Sequence, residues 1–83
     1  MRYYIIKPED SKLDKKLMTG ICAVDKEAAF SDTLKVCDIA VLQKDWTRSK
    51  SAVNEWKEAV GLGISVREGY FYNEFETKPA DSE

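Results

Sequence analysis

Four consecutive apolar residues, Ile39-Ala40-Val41-Leu42, run into a polar loop, an amphipathic segment and a Gly-Leu-Gly step. That order constrains the fold more than any other feature of the chain. A strand with one wetted face alternates apolar and polar residues, whereas an unbroken apolar run suits a strand covered on both faces, as in parallel sheets. After the loop Gln43 to Lys50, Ala52, Val53, Trp56, Ala59 and Val60 fall on one helical face. Ser49 or Ser51 supplies the N-cap oxygen, and Gly61 and Gly63 end the helix near Val60. Leu62 to Val66 starts a further strand, with Tyr70-Phe71-Tyr72 as its extension.

Upstream, Tyr3 to Lys7 is a β-branched and aromatic run ended by Pro8, which predicts a strand. Glu9 to Lys16 reads as a loop, and Leu17 to Val24 holds no single period. From Lys26 to Val36 a helix is expected, because Ala29, Phe30, Thr33, Leu34 and Cys37 form one apolar stripe. Strand, helix, strand, helix, strand is the βαβ rhythm, so the expected fold is α/β, a parallel sheet of about three strands with flanking helices. Residues 1–73 make one domain, and the acidic residues 74–83 read as a disordered tail.

Composition narrows the function. With 83 residues and 43% apolar content the chain can build a small core. The net charge of −2, with both signs mixed and no basic run, argues against direct binding to nucleic acid. There is no histidine, hence neither the commonest general base nor the commonest metal ligand, and no cofactor is expected. Cys22 and Cys37 match no zinc or redox spacing and read as two buried thiols in a reducing cytoplasm. No apolar run approaches the length of a membrane span, and Lys7-Pro8-Glu9-Asp10 interrupts any secretory signal.

In parallel sheets ligands sit beyond the carboxyl ends of the strands, which directs attention to Gln43 to Lys50 and the helix after it. Trp46 is either a stacking platform for a planar ligand or a lid over the core. Ser49 and Ser51 are polar contacts at a helix N-terminus or simply caps. Asp45 is a further contact. Glu55, at the border of the apolar helix face, is a sugar-hydroxyl acceptor, a nucleophile or a solvated surface acid. Tyr70, Phe71, Tyr72 and Phe75 stack bases or pack on a partner subunit.

The spacing Cys37-Asp38, apolar strand, Trp46, Ser49, Ser51-Ala52, Glu55, Ala59 and Leu62-Gly63 resembles a small bacterial and phage family of unknown function related to the nucleoside 2-deoxyribosyltransferases. The match lies mainly over Cys37 to Val66. Tyr4 to Asp10 looks, more weakly, like the family's second strand and Asn-Pro loop. The resemblance implies a flavodoxin-like fold, a nucleoside or nucleotide ligand, and neighbouring subunits of a homo-oligomer that complete each site. It also places Glu55 where the transferases carry the glutamate that attacks the anomeric carbon. Three positions depart from the pattern. The N-terminal Gly-Pro loop is absent or replaced by Ile6-Lys7-Pro8, as in a trimmed member. Phe30 stands where the family has a helix aspartate, and Ser51 replaces a glycine that lets the backbone approach a ligand.

The leading expectation is therefore a cytoplasmic, homo-oligomeric nucleoside- or nucleotide-binding protein, non-catalytic, with Glu55, Trp46, Ser49, Ser51 and Asp45 at the site. One alternative is a phage or mobile-element interaction protein that keeps the fold and binds a macromolecule. Another is an N-glycosidic-bond hydrolase or transferase using Glu55.

Overall fold

Alternation along the first strand sets the layers. Tyr3 and Ile5 face one side of the sheet, where they meet Leu17, Ile21, Ile39, Val41 and Tyr72. Tyr4 and Ile6 face the other, against Leu34, Ala40, Leu42, Ala52 and Ala59. The computed structural model describes residues 1–72, in four strands and two helices: β1 (Arg2–Ile6), α1 (Lys15–Val24), β2 (Ala29–Phe30), β3 (Ile39–Leu42), α2 (Lys50–Gly61) and β4 (Ser65–Glu68). Short 3-10 helices at Leu34–Val36 and Trp46–Arg48 flank β3.

The four strands form one sheet in the order β2-β1-β3-β4, and every pair is parallel. All four residues of β3 are buried, as their unbroken apolar character requires. The N-terminal strand is central, flanked by β2 and β3. From β1 the chain moves one way to β2 through α1; from β2 and β3 it moves the other way through the 3-10 turn and α2. Crossovers of constant hand that travel in opposite directions must use opposite faces. Accordingly Leu17 and Ile21 of α1 pack on one face, and Leu34, Ala52 and Ala59 on the other.

The structure corrects several expectations. The stripe from Ala29 to Cys37 is not a helix over Lys26 to Val36. Ala29 and Phe30 form the two-residue strand β2, and Leu34–Val36 is a single 3-10 turn. The helix on that connection lies earlier, at Lys15–Val24, within residues read as loop and as aperiodic. It starts at Asp14, whose carboxylate accepts from the backbone N–H of Lys16 and Leu17. The sheet thus has four strands, and β4 occupies Ser65–Glu68 and not Leu62 to Val66. Residues 70–72 are helical, not an extension of that strand. Of the two cysteines, Cys37 is buried and donates to the Thr33 carbonyl at 3.2 Å, whereas Cys22 is exposed; both are free. Burial pushes the Cys37 thiol up from its ordinary value. Phe75 and the expected tail lie outside the described residues. No helix among the described residues is long and apolar enough to cross a membrane.

Gly20 explains how α1 sits so close to the backbone of Tyr72. A Cβ there would collide with the carbonyl of Tyr72, so only glycine permits the approach.

Candidate functional site

The strand order reverses between β1 and β3, and in such sheets the crevice beyond the strands' carboxyl ends is the usual place for a ligand. Here Gln43 bridges that crevice. Its backbone N–H donates to the Ile6 carbonyl at 2.8 Å, continuing the β3 ladder past Leu42. Its side chain, only 7% exposed, accepts from the Asp14 N–H at 3.0 Å and donates to the Lys12 carbonyl at 2.9 Å. One buried amide therefore ties the loop after β1 to the loop after β3. Arg48 adds an outer tie, 3.6 Å from the Asp10 carboxylate and 3.4 Å from the Ser11 hydroxyl. Both ends of the Arg48–Asp10 pair are well exposed, so its contribution is small.

With the crevice bridged, the open space lies to either side. Beyond β3 and β4 a cavity of about 280 Å³ is walled by Asp14, Lys44, Asp45, Trp46, Glu68 and Tyr70. Asp45 takes a left-handed backbone conformation (φ 65°), which aspartate tolerates better than most residues and which begins the turn carrying Trp46. The Trp46 indole is half-buried. Its ring centroid lies 5.6 Å from that of Trp56, inclined at 43°, so it packs on the α2-side core and lines the cavity at once. The platform and lid readings of this residue are not exclusive.

The other expected contacts lie elsewhere. Ser49 caps α2, accepting from the Ala52 N–H at 3.5 Å, and its hydroxyl lies 3.0 Å from that of Ser51. Neither serine lines the cavity. Glu55 faces β1, where its carboxylate accepts a hydrogen bond from the Tyr4 hydroxyl at 2.9 Å. Burial first, and then this bond, push the Tyr4 phenol up to about 12. Glu55 too is absent from the cavity wall. The structure thus brings Asp45 and Trp46 together and leaves Ser49, Ser51 and Glu55 on α2.

Sequence reasoning passed over Gln43, Asp14, Glu68 and Tyr4. Tyr4 had a signal, since alternation in β1 turns it to the same face as the helix bearing Glu55. Asp14 had one as well, as an aspartate one residue before a helix. No group of three or more potential metal ligands occurs among the described residues. No family model, no curated protein and no solved structure matches the chain.

Proposed function

We propose that the protein binds a nucleoside in the cavity beyond the carboxyl ends of β3 and β4, without chemistry on it. The observation that carries this reading is Trp46 beside Asp45 on the wall of a cavity at the ligand-bearing end of a parallel sheet. An indole face suits a purine or pyrimidine ring, and such stacking contributes about 1–3 kcal/mol per base. Carboxylates are acceptors for sugar hydroxyls. Asp14, Asp45 and Glu68 outnumber Lys44 around the cavity, which opposes a phosphate group and places a nucleoside ahead of a nucleotide. The strand order supports the flavodoxin-like arrangement that the resemblance implies. A central β1 supports Ile6-Lys7-Pro8 as the counterpart of the family's Gly-Pro loop. Self-association belongs to the same proposal, because β4 is an edge strand with Ser65, Arg67 and Glu68 exposed.

Titration calorimetry with adenosine, 2′-deoxyadenosine, thymidine and their 5′-monophosphates tests the reading. Saturable binding of a nucleoside, weaker for its monophosphate and reduced about tenfold by Trp46→Ala, is expected. Silence from every compound at millimolar concentration would overturn the proposal and turn the search to macromolecular partners.

A second reading rests on one contact. The Tyr4 hydroxyl holds a single oxygen of Glu55, leaving its other oxygen without a partner among the described hydrogen bonds. A carboxylate held in this way suits attack on an anomeric carbon. Free base appearing in the nucleoside mixtures, and absent with Glu55→Gln, would establish it. Unchanged nucleosides after long incubation would remove it.

A further inference from the structure

On the opposite side of the Gln43 bridge, β2 stops early and leaves the central strand open. The Ala29 N–H donates to the Met1 carbonyl and the Ser31 N–H to the Tyr3 carbonyl, so odd-numbered residues of this strand aim their backbone groups at β2. Even-numbered residues aim at β3, as the bonds from Asp38 to Arg2 and from Gln43 to Ile6 show. Ile5 is the next odd residue. Strand β2 ends at Phe30, and no hydrogen bond among the described residues reaches the Ile5 N–H or carbonyl.

A cavity of about 220 Å³ opens against this bare edge, walled by Ile5, Lys7, Leu13, Met18, Phe30 and Asp32 among others. It is smaller than the usual site for a drug-sized ligand, so its occupant is compact. Two walls carry opposite charges. Neither Lys7 nor Asp32 forms an ion pair among the described residues, and Lys7 spends one of its three donors on the Ser11 carbonyl, at 2.7 Å. Leu13, Met18 and Phe30 give the cavity an apolar wall, with Leu13 and Phe30 partly exposed, and Ser31, Tyr3 and Tyr4 complete the lining.

We infer that this cavity is a second binding site, for a free apolar α-amino acid. A zwitterion supplies what the walls lack. Its carboxylate accepts from the Ile5 N–H and Lys7, and its ammonium donates to the Ile5 carbonyl and Asp32. The side chain then covers Leu13, Met18 and Phe30. An extended peptide would pair with the same edge but would bring neither charge, and the half-open cavity has room for about one residue. This inference is independent of the nucleoside reading, which concerns the cavity beyond β3 and β4.

Titration of the ¹⁵N-labelled protein with L-leucine, L-methionine and L-phenylalanine, followed by amide chemical shifts, is the test. Saturable shifts centred on the Ile5 amide are expected with at least one of them. Lys7→Met and Asp32→Asn should each weaken binding about tenfold, since each removes a charged hydrogen-bond partner. N-acetyl-L-leucine amide, which keeps the side chain and loses both charges, should not bind. The inference is overturned if no amino acid produces saturable shifts, if the uncharged amide binds equally well, or if Asp32→Asn binds as tightly as the native protein. Asp32 is exposed and can be replaced without disturbing the core, so its variant decides the matter even if Lys7→Met unfolds.

Discussion

Replacing Gln43 by leucine keeps most of the side-chain volume but removes the partners of the Asp14 N–H and the Lys12 carbonyl. Buried groups left unpaired are more costly than the bond itself is favourable, so Gln43→Leu should lower stability by about 2 kcal/mol in urea unfolding. A loss below about 0.5 kcal/mol would mean that the crevice is wet and the bridge dispensable. Tyr3 and Tyr4 supply a second expectation at this scale. Burial, followed by Tyr72 and Asp25, pushes the Tyr3 phenol up to about 12, and Tyr4 reaches about 12 as well, against an ordinary value of 10.0 for each. The folded state therefore holds these protons more tightly than the unfolded chain does. Their contribution is complete below pH 10 and declines as pH rises from about 10 to about 12. Burial pushes the Tyr72 phenol up too, so phenolate absorbance should show Tyr3, Tyr4 and Tyr72 titrating late, and Tyr4→Phe should remove one of the three while Tyr3 stays late. If every phenol titrated at its ordinary value, the Tyr4–Glu55 contact would not persist in solution.

Helix α1 shows most clearly what the sequence hides at the scale of elements. Its core contacts reduce to Leu17, Gly20 and Ile21, one turn of a stripe interrupted by the residue that, after proline, suits a helix least. That glycine is explained only by Tyr72, more than fifty positions away, which no local pattern reports. Alanine at this position would gain about 1 kcal/mol of helix propensity and lose more to the collision with the Tyr72 backbone, so Gly20→Ala should destabilise the protein. Gly61→Ala makes the matched control. It meets no atom within 4 Å at the end of α2 and should stabilise by about 0.5–1 kcal/mol. Thermal unfolding of both variants checks the pair, and equal effects would refute the close-approach argument. Elements β3 and α2 were legible because burial there follows a local period, four residues in a row and then one helical face. The segment from Ala29 to Cys37 imitated a helical stripe by accident. Phe30 meets Tyr3 with ring centroids 6.1 Å apart, from a two-residue strand, while Leu34 packs on the opposite face of the sheet.

For the molecule as a whole, α/β character and parallel pairing were readable, but the strand order was not. Order depends on which face each crossover takes, and here a two-residue strand and a 3-10 turn decide it. The site divides in the same way. Asp45 and Trp46 were legible because they sit on a strand-to-helix loop, whereas Gln43, Glu68 and Tyr70 become neighbours only once β3 and β4 are paired. Tyr72 carries the last consequence. It is buried among Tyr3, Leu17 and Ile21, so a residue from beyond β4 closes a core layer begun by the first strand. A nascent chain still missing that tyrosine exposes the underside of α1 and the odd-numbered face of β1 together. All four strands of the sheet must therefore be synthesised before this layer can close, and a chain released before Tyr72 would keep it open to chaperones and proteases.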